Sequence, residues 1–219
     1  MASTSPSQGL SDHRLRVADE APGFMPIDEA RALHDIAARY LSQTDSVGLG
    51  VEIGTYCGKS TVFLGAAAEP VGALVVTVDH HRGSEEHQPG WEYHDTALVD
   101  EHSGLLDTAA RFRQTIFDAE LEATILGLLA PSTAAAQVWG REVDFVFIDG
   151  GHSMEAAQND YDGWARWVRP GGALLIHDVF PDPRDGGRPP YEIYRQALDS
   201  GRFVEESVHG SLRVLNRVA

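Results

Sequence analysis

The stretch that most constrains this chain is Val143 to Asp178, VDFVFIDGGHSMEAAQNDYDGWARWVRPGGALLIHD. VDFVFID is an apolar run, interrupted only by Asp144 and closed by an acid. A run of this kind suits a strand covered on both faces, as in a parallel sheet. A segment with apolar and aromatic residues near helical spacing follows, and Pro170-Gly171-Gly172 is expected to stop it. ALLIHD reads as a second buried strand ending in a second acid. The two strands carry Asp149, His177 and Asp178 to their C-terminal ends, with His152 three residues past Asp149 in the following loop. Ligands of open α/β sheets sit outside those ends. Three oxygen or nitrogen ligands and one free histidine therefore read as a metal-assisted site with its own base.

Upstream, Val47 to Ile53 (VGLGVEI) reads as the first strand, Gly54-Thr55-Tyr56-Cys57-Gly58-Lys59-Ser60 as a glycine turn, and Lys59 to Ala68 as a helix. The first N–H groups of a helix lack intrahelical partners, so this strand, turn and helix start offer a place for a negatively charged or polar group. Gly-Lys-Ser invites a phosphate-binding loop. That loop needs four residues between its first glycine and the Gly-Lys pair; Gly54 leaves only three, and Ile53 stands where the glycine should be. Ala73 to Val78 is the second strand and runs into Asp79. An acid there can hold both hydroxyls of a ribose, so the first half suits a nucleoside with a charged tail.

A chain of 219 residues can bury a sizeable core in one α/β domain. That domain is expected over 21–219, behind a mobile arm at 1–20 rich in serine, proline and charge. Ile27 to Leu41 reads as an amphipathic helix over the sheet, with Ile27, Ala30, Leu33, Ile36, Ala37, Tyr40 and Leu41 on one side. Residues 80–104 hold five of the ten histidines without a strong period. Long irregular segments in compact domains are usually functional, so a lid or substrate loop is expected, with Trp91 and Tyr93 offering aromatic faces to an acceptor. The spacings of His80, His81, His87, His94 and His102 match no standard metal motif.

Leu105 to Asp118 is expected as a helix with Leu106, Ala109, Phe112 and Phe117 inward. Residues 123–126 read as a short strand, 127–131 as a loop, and 132–139 as a short helix capped by Ser132. PDPRDGGRPP forms a loop over the same strand ends, and Tyr191 to Leu198 a helix. Phe203 to Val208 and Leu212 to Leu215 then flank His209-Gly210 as an antiparallel hairpin.

Charge narrows the function. Lys plus Arg number 17 against 33 Asp plus Glu, a formal charge of −16, which argues against nucleic acid and against an anionic membrane surface. The lone Cys57 excludes an internal disulfide and fits a reducing compartment. No stretch approaches the roughly 20 apolar residues of a membrane span. MASTSPSQGLSDHR lacks the apolar core of a signal peptide, so a cytoplasmic location is expected.

VEIGTYCGKST resembles the first motif of class I S-adenosylmethionine-dependent methyltransferases, in a Gly-x-Tyr-Cys-Gly-x-Ser form similar to that of catechol O-methyltransferase. FIDGGHSMEAAQNDYDGWARWVRPGGALLIHD resembles the later motifs of the macrolide-sugar O-methyltransferases that act on mycinamicin and tylosin precursors. The resemblance covers about residues 47–180. It implies a Rossmann-like, seven-stranded, mostly parallel sheet with helices on both faces and a C-terminal antiparallel hairpin. It also implies that Gly54, Tyr56, Gly58 and Ser60 cradle the methionine part of the cofactor, with Ser132 added to the cofactor-binding set. Glu52 would brace that loop and Asp79 would hold the ribose. Asp149 and Asp178 would bind Mg²⁺, and His152 would be the general base, with Asp149 beside it in catalysis. His177 departs from the pattern, since related sites place a carboxylate there. As a ligand, its imidazole leaves room for Mn²⁺ or another divalent ion; otherwise it stands behind the ligands.

The implied reaction is methyl transfer from S-adenosylmethionine to a hydroxyl that a divalent cation orients and acidifies. A neutral His152 near the ordinary pKa of about 6.5 would take the proton. The expected acceptor is a hydroxylated small molecule, a saccharide or glycoside. A catechol or phenol is the alternative, as is a cofactor-binding module without catalysis; a metallohydrolase on His177-Asp178 lacks the further ligands of such sites. A homo-oligomer stays open.

Overall fold

The computed structural model describes residues 9–43, 46–91 and 93–218. Its strands are β1 (Leu49–Ile53), β2 (Leu74–Asp79), β3 (Ile125–Leu129), β4 (Val143–Ile148), β5 (Val168–Ile176), β6 (Phe203–His209) and β7 (Leu212–Arg217). Its helices are α1 (Asp12–Glu20), α2 (Ile27–Leu41), α3 (Lys59–Ala68), α4 (Ala109–Asp118), α5 (Ser132–Val138), α6 (Met154–Trp164) and α7 (Pro189–Asp199). One sheet runs β3-β2-β1-β4-β5-β7-β6. β1 to β5 are parallel, and β7 is antiparallel to both β5 and β6. This is the Rossmann-like sheet with a terminal hairpin that the sequence led us to expect. No described helix is long and apolar enough to cross a membrane.

β1 and β4 are buried at every position, Glu52 and Asp144 included, as central strands must be between two helical layers. On one face α1 to α4 enclose Leu33, Phe63, Phe145 and Phe147. On the other, α5 to α7 enclose Val51, Ile53, Val146 and Trp164. Gly50 lies opposite Phe145 in the β1–β4 register, and a Cβ on it would overlap the Phe145 ring. The missing side chain lets that ring lie flat on the strand, where full burial of a Phe contributes roughly 1.5–3 kcal/mol.

Four expectations change. Asp12–Glu20, expected in the mobile arm, is a docked helix. Ser11 caps it, and Arg14 ties it to Glu69 (2.6 and 2.9 Å) and to the Ala119 carbonyl (3.0 Å); residues 1–8 of the arm lie outside the described residues. Pro170-Gly171-Gly172 falls inside β5 rather than ending the helix, because α6 already closes at Trp164 and a shift in the β4–β5 register accommodates the segment. β3 extends to Leu129, where a loop was expected, since it pairs with β2 through Asp79. The helix expected from Leu105 begins at Ala109, since Leu106 bridges Val99; Phe117 is 59% exposed, and Thr115 and Ile116 fill the inward face of α4 instead.

Candidate active site

The strand order reverses between β1 and β4, and ligands of such sheets bind beyond the strand ends at that point. A cavity of about 470 Å³ opens there, bounded by Gly54, Tyr56, Asp79, Ser132, Asp149 and His152, with Ser84, Glu86, His87 and Trp91 of the 80–104 segment closing another side.

The turn after β1 is shaped by its neighbours. Gly54 has φ +89, and a Cβ there would collide with the Asp149 carbonyl at the end of β4. Tyr56 is held in the left-handed region at φ 48, a strained geometry that persists only where the surroundings fix it. Asp79 does the fixing. Its Oδ2 accepts the N–H groups of Thr55 and Tyr56 (both 2.9 Å), and its Oδ1 accepts that of His81 (2.7 Å). A carboxylate has about four acceptor positions, so one remains for a ligand.

Glu52, Gly58 and Ser60 lie behind this wall. Glu52 is fully buried and accepts the hydroxyls of Ser60, Thr61 and Thr77, each at 2.6 Å. Burial pushes its carboxyl up to about 7, outweighing those three bonds, with the Asp149 charge adding to the rise. Ser60 therefore turns its hydroxyl into the brace, away from the cavity. Gly58, at φ +90, packs toward Phe112 and Thr115. Ser132 does not cap α5, whose N-cap is Pro131; it reaches the cavity and donates to Asp160. Asp160 is buried, and burial pushes it up to about 6. Gly150 makes room for it, because a Cβ would stand 2.5 Å from Asp160 Oδ2.

Asp149, His177 and Asp178 do converge: one candidate ligand atom from each lies within 4.8 Å of the others. His177 Nδ1 is 3.0 Å from Asp149 Oδ1 and 3.4 Å from Asp178 Oδ2, and its Nε2 is 2.9 Å from Glu29 Oε2. His152 bridges Asp178 through Nε2 (3.0 Å) and Glu86 through Nδ1 (3.2 Å). Asp178 is itself left-handed, at φ 55.

Burial would lower both imidazoles, but the carboxylates win. Asp149, Asp178 and Glu29 push His177 up to about 12. Asp178, Glu86 and Asp149 push His152 up to about 9. Burial would raise Asp178, yet the two imidazoles hold it well below the usual carboxylate range. Asp178 and Glu86 grip both ring nitrogens of His152 and, with no cation beside them, favour its protonated form over the neutral one expected from its ordinary pKa.

The donor set fits a divalent cation. Two carboxylates and one imidazole nitrogen face a common point, and the other nitrogen of that imidazole rests on a carboxylate, as in ligating histidines generally. Three histidines of the 80–104 segment bond outside this cluster: His81 bonds Thr108 (2.8 Å), His87 bonds Ser84 (2.9 Å) and His94 bonds the His87 carbonyl (2.8 Å).

Three contributors escaped sequence reasoning. Glu29 and Asp160 sit at helical spacing among buried apolar positions, Glu29 with Leu33, Ile36 and Tyr40, Asp160 with Ala157, Tyr161 and Trp164. An acid inside an apolar stripe was the available signal. Phe24 carried none. It is 61% exposed and packs on Tyr93 (4.8 Å) and Tyr56 (5.8 Å), while Tyr56 stacks on His87 (4.9 Å).

Residues 51–179 match the family model described as a methyltransferase domain. Among solved structures, the chain is similar to cofactor-bound Rv0187 from MTB, with TM-score 0.65 and 16% identity over 99% of this chain and 92% of that one. It is similar to the SAH-bound Podospora anserina methyltransferase PaMTH1, with TM-score 0.64 and 12% identity over 96% and 88%. It is similar to the O-methyltransferase NovP, with TM-score 0.64 and 15% identity over 88% and 81%. These likenesses concern the fold. A curated relative, the phenylalanine–tRNA ligase alpha subunit of Stenotrophomonas maltophilia (strain R551-3), is 26% identical over 163 residues, which are 72% of this chain; the chain spans 42% of that protein's length.

Proposed function

This chain belongs to the methyltransferase-domain family, and on that premise we propose that it is a metal-dependent O-methyltransferase, moving a methyl group from S-adenosylmethionine to a hydroxyl of a saccharide or glycoside. The observation that carries this reading is the meeting of Asp149, His152, His177 and Asp178 beside the cavity that the glycine turn and Asp79 bound. When bound, S-adenosylmethionine supplies a methyl group on a sulfonium, and a divalent cation acidifies an oxygen that it touches.

The chain's own residues do the rest. Gly54 and Tyr56 bring backbone close to the cofactor, and the free acceptor position of Asp79 takes a ribose hydroxyl. Ser132 and Asp160 lie across the same cavity and add polar contacts. Asp149, Asp178 and the deprotonated Nδ1 of His177 would hold the metal, Mg²⁺ or Mn²⁺. Asp178 would be shared between that ion and His152, and His152 in its neutral form, its Nε2 proton given up to solvent, would receive the acceptor's proton at Nε2. Trp91 lines the cavity and is exposed, and Phe24 and Tyr93 pack together beside Tyr56 of the cavity wall; such rings suit sugars. The same rings favour a second reading, a phenolic acceptor. The charge of −16 disfavours nucleic acid as the substrate, and we place the reaction in the cytoplasm.

The test is a panel of glycosides and catechols, assayed for methyl transfer with and without Mg²⁺ or Mn²⁺. With an accepted substrate at saturating metal, His152→Ala should lower turnover by about 10²–10⁴-fold, the usual worth of a positioned base, and leave cofactor affinity near that of the parent. A turnover close to the parent's would remove His152 from the base role.

A further inference from the structure

We propose that Glu29 is a positioning residue of the metal site, holding the Nε2–H of His177 so that Nδ1 is presented, with Asp149 and Asp178, to a divalent cation. The inference rests on the metal-dependent reading above.

Glu29 lies in the first turn of α2, on the stripe that faces the core, and is 7% exposed. A carboxylate in such a place is costly unless its oxygens are satisfied. Here they are: Oε1 accepts the Ser211 N–H at 3.0 Å, and Oε2 accepts the Ser211 hydroxyl at 2.8 Å and meets His177 Nε2 at 2.9 Å. The β6–β7 turn is built around it. Gly210 has φ +56, and a Cβ on it would collide with Glu29 Oε1. Three segments distant in sequence therefore meet at one carboxylate: the start of α2, the end of β5 and the terminal hairpin turn.

The consequence for His177 is chemical. An imidazole with an acceptor fixed on Nε2 keeps its proton there and offers the lone pair of Nδ1. Nδ1 is the nitrogen that faces Asp149 and Asp178, at 3.0 and 3.4 Å. A carboxylate behind a ligating histidine is the usual device for setting ring orientation and tautomer. The competing explanation is that Glu29 merely ties the hairpin to α2 through Ser211, in which case the His177 contact is incidental.

Mn²⁺ binding to the full chain separates the two. Calorimetry gives the affinity, and electron spin-echo spectroscopy gives the ¹⁴N coupling of a bound imidazole. The parent should bind Mn²⁺ with a ¹⁴N signal that His177→Asn abolishes. Glu29→Gln, which keeps the side-chain volume and an acceptor for Ser211, should weaken Mn²⁺ binding by about 10–100-fold and diminish the ¹⁴N signal, while Ser211→Ala should bind Mn²⁺ like the parent. Parent-like affinity and an unchanged ¹⁴N signal in Glu29→Gln would overturn the proposal and leave Glu29 as a hairpin tie. An absence of Mn²⁺ binding in the parent would overturn the metal-dependent reading itself. Should no Glu29 variant fold, ¹⁵N-histidine spectra of the Zn²⁺-loaded parent decide the matter. A His177 protonated at Nε2 and metallated at Nδ1 supports the assignment; the opposite tautomer refutes it.

Discussion

Glu52→Gln should change how the stability of this protein depends on pH. Glu52 is fully buried beneath the turn, with the hydroxyls of Ser60, Thr61 and Thr77 at 2.6 Å. Burial raises its carboxyl from 4.5 to about 7 against those bonds. Between these two values the folded chain holds a proton that the unfolded chain releases. The associated stability is fully present below pH 4.5 and is lost as the pH rises through 7. At 1.36 kcal/mol per pH unit, the loss amounts to about 3 kcal/mol. Glutamine has nearly the same shape, offers an acceptor to the same hydroxyls and does not titrate. Denaturant unfolding of parent and variant at pH 5, 6, 7 and 8 isolates the effect, because every other titrating group is common to both proteins. The variant should gain on the parent by up to about 3 kcal/mol across that range. A difference that stays flat within about 0.5 kcal/mol, well inside the uncertainty of extrapolated stabilities, would mean that the three hydroxyls keep Glu52 ionised and that burial does not dominate.

Two further outcomes follow from the same part of the sheet. Asp79→Ala removes the acceptor of three backbone N–H groups and should weaken S-adenosylmethionine binding by about 1–3 kcal/mol in calorimetry; unchanged binding would show that the turn is self-supporting and the ribose held elsewhere. Gly50→Ala places a methyl group inside the Phe145 ring and should cost about 1–3 kcal/mol in denaturant unfolding, with a parent-like midpoint showing that the strands move apart freely.

Much of the frame was readable because its signals are local. Buried parallel strands are largely apolar, so VDFVFI, with Asp144 its one polar residue, and ALLI announce themselves, and the helices expected from Ile27 to Leu41 and from Lys59 to Ala68 have those bounds in the structure. The acids and histidines at the strand ends follow from chain direction alone. What escaped depends on partners far away in sequence. Arg14 orders α1 only because Glu69 and Ala119 stand beside it. Glu29 waits for a histidine 148 residues further on. Pro170-Gly171-Gly172 looks like a terminator until β4 supplies a strand to pair with. The protonation of His152 escaped for the same reason, since Glu86 and Asp178 reach it from two other loops.

That protonation binds the two proposed roles together. Glu29, Glu86, Asp149 and Asp178 all lie within 3.4 Å of the two imidazoles. Four carboxylates against two imidazolium rings leave two negative charges in the metal-free, half-buried site, and a divalent cation taken by Nδ1 of His177 would displace that ring's proton as well. Asp178 is the shared element, because it grips His152 and also faces the point where the metal ligands converge. Proton and cation therefore compete for one carboxylate, and by linkage whatever tightens the metal also frees the histidine. In this reading metal and base are not separate requirements. His152 would become a competent base when Asp178 engages a cation and the ring gives up its own proton to solvent, which makes the order of events at the site a property of that one side chain.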